Sequence, residues 1–250
     1  MAVTLGLIVG SGFDYLGLTI ASRSPVKTPF GLPSSPILAA SIGKTRVVCI
    51  ARHGENRRIP PHAVNYRANL WSLHQQGVRC CLAVNTVGAI EPGFEPGELA
   101  IPDQLIDYTW GREQSFYDGS SNELDHIEFT EPFDPELRGR VATAAQAIGC
   151  SVRAGVYGVT QGPRLETAAE VNRLARDGCT MVGMTAMPEA ALARELGVAY
   201  AVCAVAVNHA AGRGPGDTPI HARLEHYADR GMQRVGALLD AFVPELITGK

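Results

Sequence analysis

The 250-residue sequence predicts a single α/β domain, spanning 1–250, whose mixed β-sheet is flanked by helices. Three observations support this prediction. Apolar runs of strand length alternate with longer amphipathic stretches, most of those stretches end at a glycine, and Gly43-Lys44 forms a hairpin signal between two apolar runs. The alternation favours helices on both faces of the sheet, and the hairpin indicates that part of the sheet is antiparallel.

The apolar runs define the predicted strands. They span 5–9, 37–41, 46–51, 78–84, 100–106, 152–159, 180–183 and 199–207. Helices are predicted at 65–76, 135–148, 188–196 and about 221–242. Gly77, Gly149 and Gly197 end the first three helices, and Asp134 is the expected cap in front of the second. The segment 109–131, rich in Ser, Asp and aromatic residues, is predicted to be a long surface loop with a functional role.

Charge and composition favour small-molecule partners. The net charge is −3 and the sequence has no block of Lys and Arg, which argues against a nucleic-acid or anionic-membrane surface. The six cysteines form no C-x-x-C pair and mostly lie in apolar runs, as expected of reduced, buried thiols. The first residues lack the features of a basic leader, and the longest uncharged apolar run, 197–207, is too short to span a bilayer. We therefore expect a cytoplasmic protein.

The predicted strand at 180–183 is followed by a candidate anion site. Met184-Thr185 comes directly after it, and a Pro188-Glu189 helix start follows within three residues. Ligands of α/β folds bind beyond the carboxyl ends of strands, where a hydroxyl and free helix-start amides can hold an anion. Taken alone, a purely structural turn explains this segment equally well.

Three other predicted strands end in short polar segments. These are GSG at 10–12, ARHG at 51–54 and NTVG at 85–88, and the side chains that they supply are Ser11, Arg52, His53, Asn85 and Thr86. Amides, hydroxyls and two cationic side chains suit a phosphate. A bare turn at GSG and an exposed Arg-His pair are the structural alternatives. A dinucleotide site is disfavoured because the spacing G-x-G-x-x-G would need glycine at Tyr15, and no Walker Gly-Lys-Ser/Thr follows.

Together these strand ends resemble the purine nucleoside phosphorylase and methylthioadenosine phosphorylase family. Further runs with the same resemblance are TPFG at 28–31, VNYRANLW at 64–71, QSFYDG at 114–119, QGPRLET at 161–167 and GMTAMPEAALARELG at 183–197. The resemblance implies a partly barrel-like sheet surrounded by helices, and a homotrimer or a dimer of trimers. It also implies cleavage of the N-glycosidic bond of a purine nucleoside by inorganic phosphate as co-substrate, with no metal or organic cofactor.

The resemblance also assigns roles to individual residues. Met184 matches a position that packs against the ribose. Asn85, from the segment 85–88, is also expected to bind phosphate. Phosphate then lies under C1′, where its charge stabilises an oxocarbenium-like transition state and no enzyme nucleophile is required. We expect Asn208, Glu166 and His53 to act in catalysis. The positions that match phosphate contacts are Ser11, Arg52, His53, Thr86 and Thr185.

The base end of the nucleoside is expected at Glu166 and at 208–210. Asn208, His209 and Ala210 match positions that contact the purine, and adenine-specific relatives have Asp at the first and third of them. An Asn amide can donate to N7 and the O6 region of a 6-oxopurine, whereas a carboxylate suits the amino group of adenine. Glu166 matches a Glu of the 6-oxopurine enzymes, and a carboxylate accepts from N1–H, which hypoxanthine has and adenine lacks. Both residues favour a 6-oxopurine, with a helix-start Glu and a loop Asn as the structural alternatives.

The residues expected at the 5′ end of the nucleoside give two conflicting indications. The runs ARHG, QSFYDG and GPR are closer to the methylthioadenosine branch, so the chain resembles the S-methyl-5′-thioinosine phosphorylases. His221 disagrees, because it aligns with a His that contacts a 5′-hydroxyl in inosine and guanosine phosphorylases, although the neighbouring Ile220 is apolar. His126 matches a residue that reaches a neighbouring subunit's site in trimeric relatives. A general 6-oxopurine nucleoside phosphorylase therefore remains the alternative.

Two other functions fit the same fold class. A nucleosidase would use water in place of phosphate, and the many phosphate-suited side chains argue against it. A non-catalytic purine-binding protein would tolerate loss of those side chains, yet Ser11, Arg52, His53 and Thr185 are all present. The sequence therefore favours a phosphate-dependent enzyme.

Overall fold

A computed structural model describes residues 4–10, 16, 18–119, 124–215 and 224–248. Within these ranges, groups of one to four strands are separated by helices. The strands in these ranges are β1 (Thr4–Val9), β2 (Thr19–Ser24), β3 (Ile37–Ile42), β4 (Thr45–Ala51), β5 (Val78–Ala89), β6 (Leu99–Ala100), β7 (Gln104–Asp107), β8 (Val152–Arg153), β9 (Val156–Val159), β10 (Met181–Gly183) and β11 (Ala199–His209). The α-helices are α1 (Tyr66–Gln75), α2 (Pro135–Ala147), α3 (Ala168–Arg176), α4 (Ala186–Glu195) and α5 (Leu224–Thr248). Across the described ranges, every helix is too short or too polar to span a lipid bilayer.

Strand β5 is the centre of one mixed sheet because it pairs with three other strands. Along one edge it lies parallel to β11 from Cys80 to Ala89. Along the other edge it lies parallel to β1 as far as Val84 and antiparallel to β10 at Gly88 and Ala89. The carboxyl ends of β1 and β10 therefore face each other along β5 and are separated by the β5 residues between Val84 and Gly88.

The sheet extends outward on both sides of β5. Strand β4 lies parallel to β1, and β3 and β2 continue the sheet in antiparallel fashion. Strands β9 and β7 continue it in parallel from β10, while β6 lies antiparallel to β11 and parallel to β8. The prediction of a mixed sheet is confirmed.

Helices cover both faces of this sheet. Helices α2 and α5 lie on one face, where Leu137 and Met232 share a buried cluster with Leu7. Helices α1 and α4 lie on the other face, where Leu70 shares a cluster with Ile8. Because successive side chains of a strand point to opposite faces, Leu7 and Ile8 of β1 contribute to different cores. The chain thus buries two apolar layers around one sheet.

Several predicted element boundaries are confirmed. Asn65 and Asp134 accept hydrogen bonds from backbone amides in the first turns of α1 and α2, as expected of N-caps. The Gly43-Lys44 turn joins antiparallel β3 and β4, with Gly43 at a φ of 56°. Within 109–119 and 124–131, no helix or strand forms, so these residues are a loop as predicted.

Other boundaries differ from the prediction. The run 100–106 is two strands, β6 and β7, because Pro102 has no amide to donate to a ladder. The run 152–159 is divided into β8 and β9 at Gly155, whose φ of 138° is not a strand conformation. Strand β5 continues to Ala89, so the segment 85–88 lies inside the strand and does not close it.

Two elements were not predicted, and two predicted helices have different ends. Strand β2 is polar and mostly exposed, and α3 follows the capping box of Thr167 and Glu170. Helix α4 begins at Ala186 with a non-helical Met187, earlier than predicted. Helix α5 extends to 248 through Pro244, and the predicted start at 221 lies outside the described residues.

Candidate active site

A cleft of about 240 Å³ opens where β1 and β10 end against β5. Gly10 follows β1, and the other walls are formed by residues of β5, by residues at or after the ends of β4, β10 and β11, and by Pro61, Leu165 and Glu166. The sequence-predicted residues that line the cleft are Arg52, His53, Thr86, Glu166, Met184, Thr185, Asn208 and Ala210. Segments that are far apart in the sequence therefore meet at one site.

The remaining predicted site residues lie elsewhere. Asn85 is buried beneath the cleft, where its Oδ1 accepts a hydrogen bond from Arg52. His209 does not line the cleft, and its Nε2 lies 3.3 Å from Glu95 Oε2, because alternation along β11 gives Asn208 and His209 different directions. His126 is exposed on the loop and does not line the cleft. The predicted contacts of Ser11 and His221 lie outside the described residues.

Arg52 is held by a buried ion pair beneath the cleft. Its Nε lies 2.5 Å from Glu189 Oε1, and its Nη2 donates to Glu189 Oε2 at 2.9 Å and to Asn85 Oδ1 at 2.7 Å. The Tyr200 hydroxyl donates to Glu189 Oε2 at 2.8 Å, and both partners of the ion pair are almost completely buried. Burial alone would lower the pKa of Arg52, but the charge and hydrogen bonds of Glu189 outweigh it and the pKa is raised.

The ion pair changes the expected role of Arg52. The sequence predicted a free cationic donor at a strand end, whereas Glu189 and Asn85 occupy Nε and Nη2. The Nη1 group donates weakly to Val84 O at 3.3 Å and lies closest to Gly10 at the cleft. A Cβ on Gly10 would lie 3.0 Å from Nη1, so any larger residue at this position would crowd that atom. Arg52 therefore offers the cleft one N–H edge and little net charge.

His53 faces the cleft in a defined tautomer. Its Nδ1 lies 2.8 Å from the carbonyl oxygen of Ile59, and a carbonyl only accepts, so Nδ1 holds a proton. Burial, followed by the charge of Arg52, lowers the pKa of His53. The neutral ring therefore presents the Nε2 lone pair beside Gly10, and Nε2 donates only after the ring takes up a proton.

Hydroxyl and amide donors lie between the two strand ends. Thr185 lines the cleft at the start of α4, and its side chain makes no capping hydrogen bond. Thr86 lines the cleft as well. Beneath the cleft, the buried Tyr157 hydroxyl interacts with Asn85 and Thr185; burial raises the pKa of Tyr157, and the hydrogen bonds with these two side chains act in the opposite direction. The hydroxyls of Thr86 and Thr185 are therefore groups at the cleft that suit an anion.

Glu166 and Asn208 provide polar groups in the part of the cleft where the sequence predicts contacts with the purine base. The Thr160 hydroxyl lies 2.6 Å from Glu166 Oε1, and within the described residues Oε2 is left without a hydrogen-bond partner. Asn208 follows an irregularity in the pairing of β11 with β5, and its Nδ2 donates to His209 O at 2.6 Å. An Asn amide has two N–H groups and one oxygen, so a donor and an acceptor remain for a ligand.

A family model described as the phosphorylase superfamily matches residues 4–244. The chain belongs to this superfamily. A protein of Xanthomonas campestris pv. campestris named "Probable S-methyl-5'-thioinosine phosphorylase" is 50% identical over 215 residues, which are 85% of this chain and 86% of that protein. A "6-oxopurine nucleoside phosphorylase" of Pyrococcus furiosus is 38% identical over 246 residues, which are 96% of this chain and 92% of that protein.

The solved structures agree with this assignment. The methylthioadenosine phosphorylase of Schistosoma mansoni in complex with adenine superposes with a TM-score of 0.91 at 30% identity, covering 99% of this chain and 93% of that one. The fold class and the family resemblance are thereby confirmed. The chain is a pentosyltransferase of the purine nucleoside phosphorylase type.

Sequence reasoning missed the carboxylate that pairs with Arg52 in this phosphorylase. Glu189 is the one acidic residue in the otherwise apolar stretch 186–193 and is fully buried. An acidic side chain in such a stretch requires a buried cation, and that signal was present in the sequence. The identity of its partner was not, because Arg52 and Glu189 are 137 residues apart.

Arg112 is a second missed residue of the phosphorylase. It belongs to the loop after β7, and its guanidinium donates to four backbone carbonyls. Two of these belong to Thr160 and Gln161, and the others to Met184 and Met187. A single arginine in a polar loop gives no local sequence signal for such a role. Through these hydrogen bonds, Arg112 links the segment that leads to Glu166 with the segment that contains Thr185.

A second cavity of about 300 Å³ adjoins the cleft of this phosphorylase. Glu166 lines both cavities, and Trp110, which is 71% exposed, lines the second one together with Tyr108 and Arg164. Glu166 therefore lies at the boundary between the two spaces. We place the reaction in the cleft because Arg52, His53, Thr86 and Thr185 line only that cavity.

Proposed function

We propose that this phosphorylase converts S-methyl-5′-thioinosine and inorganic phosphate into hypoxanthine and S-methyl-5-thioribose 1-phosphate. The observation behind the base assignment is the pairing of a carboxylate, Glu166, with an amide, Asn208, in the wall of one cleft. A carboxylate accepts a hydrogen bond from N1–H of hypoxanthine, and adenine has no such proton. The names of the Xanthomonas campestris pv. campestris and Pyrococcus furiosus relatives also favour a 6-oxopurine.

In the proposed reaction, a phosphate oxygen attacks C1′ of the ribose as the bond from C1′ to the purine nitrogen breaks. Thr86, Thr185 and the Nη1 edge of Arg52 donate to phosphate, and His53 adds a donor when it is protonated. Asn208 stabilises the departing purine by donating at N7, where negative charge develops. Ser11 stays a predicted phosphate contact. The phosphate charge beneath C1′ stabilises the oxocarbenium-like transition state.

The 5′ assignment is supported by the apolar walls of the cleft. Pro61, Leu165 and Met184 line it and offer contacts that suit a methylthio group better than a hydroxyl, which would need a hydrogen-bond partner. His221 remains a predicted candidate for such a partner, and its use would indicate a substrate with a 5′-hydroxyl.

We further propose that no metal or organic cofactor takes part and that the enzyme is a cytoplasmic homotrimer or homohexamer. In the proposed reaction, phosphate is the nucleophile, and its negative charge stabilises the transition state. The reaction therefore needs no metal ion to act as an electrophile and no redox group. His126 is exposed in the protomer, as is necessary for a side chain that contributes to a neighbouring subunit's cleft.

The proposal is tested with S-methyl-5′-thioinosine, inosine and guanosine, each assayed with and without phosphate. We expect the highest kcat/KM with the thioinosine and formation of a sugar 1-phosphate only when phosphate is present. A preference for inosine or guanosine would replace this proposal by a general 6-oxopurine phosphorylase. Formation of the free sugar without phosphate would indicate a hydrolase.

A further inference from the structure

Among the residues that the structure describes, the side chain that hydrogen-bonds the Glu166 carboxylate is Thr160. Thr160 Oγ1 lies 2.6 Å from Glu166 Oε1 and 3.3 Å from Gly183 O. A threonine hydroxyl has one proton, and a hydrogen bond to a charged carboxylate is the stronger and shorter of the two. Thr160 therefore donates to Glu166 and fixes the orientation of that carboxylate.

Thr160 is itself held in place from two sides. Its backbone amide donates to Gly183 O at 2.8 Å, which joins the end of β9 to the end of β10. The carbonyl of Thr160 accepts a hydrogen bond from Arg112 Nη2 at 3.2 Å. Nη1 of the same guanidinium donates to Met184 O at 2.8 Å. The hydroxyl is thus presented to Glu166 from a rigid junction between the two halves of the cleft.

From this geometry we propose that Thr160 is a specificity-determining residue of the phosphorylase. Its hydroxyl engages Glu166 Oε1 and leaves the other carboxylate oxygen aimed at the purine edge, so that only a base with an N–H at that edge is well matched. Arg112 is a positioning residue that holds Thr160. The inference rests on the proposed function, because it explains how a 6-oxopurine preference is enforced.

The direct test is Thr160→Val, which keeps the branched shape of the side chain and removes the hydroxyl. The readout is the ratio of kcat/KM for S-methyl-5′-thioinosine to that for S-methyl-5′-thioadenosine. We expect this ratio to fall about tenfold, because a hydrogen bond to a charged group contributes on that scale. Thr160→Ser retains the hydroxyl, and we expect it to keep the ratio close to that of the unmodified enzyme.

Thr180→Val is the matched control. The Thr180 hydroxyl donates to a strand carbonyl, Val156 O at 3.3 Å, and Thr180 lines neither cavity. We expect this variant to keep the ratio of the unmodified enzyme. If Thr160→Val lowers kcat/KM equally for both nucleosides, Thr160 has only a structural role and the inference is overturned.

Arg112→Lys tests the positioning role. A lysine ammonium cannot span the four carbonyls that the guanidinium contacts, so we expect the same ratio to fall in a protein that still folds. Arg67→Lys is its control, since Arg67 pairs with Glu113 in the same loop and stacks over Phe30. An unchanged ratio in Arg112→Lys contradicts the positioning role.

The unmodified enzyme is measured first, which separates the inference from the proposed function. If it prefers the thioadenosine, the proposed base assignment fails and the inference fails with it. If it prefers the thioinosine and Thr160→Val keeps that preference, the proposed function stands and only the inference is overturned.

Discussion

Arg52 shows how one buried contact changes the chemistry of a residue. A free arginine would bring a full positive charge to phosphate, whereas the ion pair with Glu189 leaves one N–H edge at the cleft. In the proposed site, anion binding then depends on neutral donors such as Thr86 and Thr185, with His53 as the nearby group that can gain charge. The same pair makes Glu189 important for stability, although it does not line the cleft.

We expect Glu189→Gln to lower the free energy of unfolding by about 3–5 kcal/mol, because it leaves the buried Arg52 charge without its partner. Urea unfolding followed by circular dichroism measures this change. The control is Glu55→Gln, which removes the partner of Arg23 in an exposed ion pair and should cost less than about 1 kcal/mol. Equal, small effects in the two variants would show that the buried pair is not needed for stability.

His53 should make stability depend on pH. Burial and the Arg52 charge lower its pKa below the ordinary value of 6.5. As the pH falls through 6.5, the unfolded chain takes up a proton that the folded protein does not, so the free energy of unfolding decreases until the folded pKa is reached.

His53→Asn keeps a donor for Ile59 O and removes this titration. We expect its free energy of unfolding to fall less between pH 7 and 5 than that of the unmodified protein, measured in phosphate-free buffer. His62→Asn, at an exposed position, shows the effect of losing any one histidine. Identical pH dependence in His53→Asn and the unmodified protein would refute the assignment.

Strand β10 and helix α2 each contain a glycine, and only the glycine of β10 lies in a crowded position. A Cβ on Gly183, at the end of β10, would lie 2.1 Å from the hydroxyl of the buried Tyr157. Gly139 is exposed in α2, and a Cβ there would meet nothing within 4 Å. We expect Gly183→Ala to destabilise the protein by about 1–3 kcal/mol and Gly139→Ala to stabilise it by about 0.5–1 kcal/mol. Thermal unfolding measures both, and a Gly183→Ala variant as stable as the unmodified protein would contradict the packing.

Local patterns predicted most of the elements that bury an apolar face, but missed β2, which buries little, and α3, which buries Val171 and Leu174. Strand β2 has the polar sequence TIASRS at an edge of the sheet, so it shows no apolar run. Helix α3 had a readable start, since Thr167 and Glu170 have the spacing of a capping box. The breaks near Pro102 and at Gly155 were also visible as residues that interrupt a strand.

The candidate cleft was predictable because strand ends gather at one place in an α/β fold. Arg52, Thr86, Thr185 and Asn208 were found in this way. Alternation along the strand at 199–207 could have separated His209 from Asn208 in advance. The contacts of Arg52 with Glu189 and of Arg112 with Met184 could not be predicted, because each joins segments whose distance in space depends on the whole sheet.

In the whole molecule, one cleft draws residues from Gly10 to Ala211, so its chemistry depends on the complete sheet. Glu166 and Asn208 are the two candidate contacts for the base in this cleft. The relatives of the chain are named for 6-oxopurine nucleosides and for methylthio nucleosides, one of which is an adenosine. The base preference therefore decides whether the placement of Glu166 and Asn208 has the meaning that we propose.

One ratio decides this point: kcat/KM for S-methyl-5′-thioinosine divided by kcat/KM for S-methyl-5′-thioadenosine, at saturating phosphate. We expect the thioinosine to be preferred by about tenfold or more, because adenine leaves Glu166 without a donor at a cost of about 1–3 kcal/mol. Equal rates, or a preference for the thioadenosine, would contradict the assignment of Glu166 and Asn208 to a 6-oxopurine.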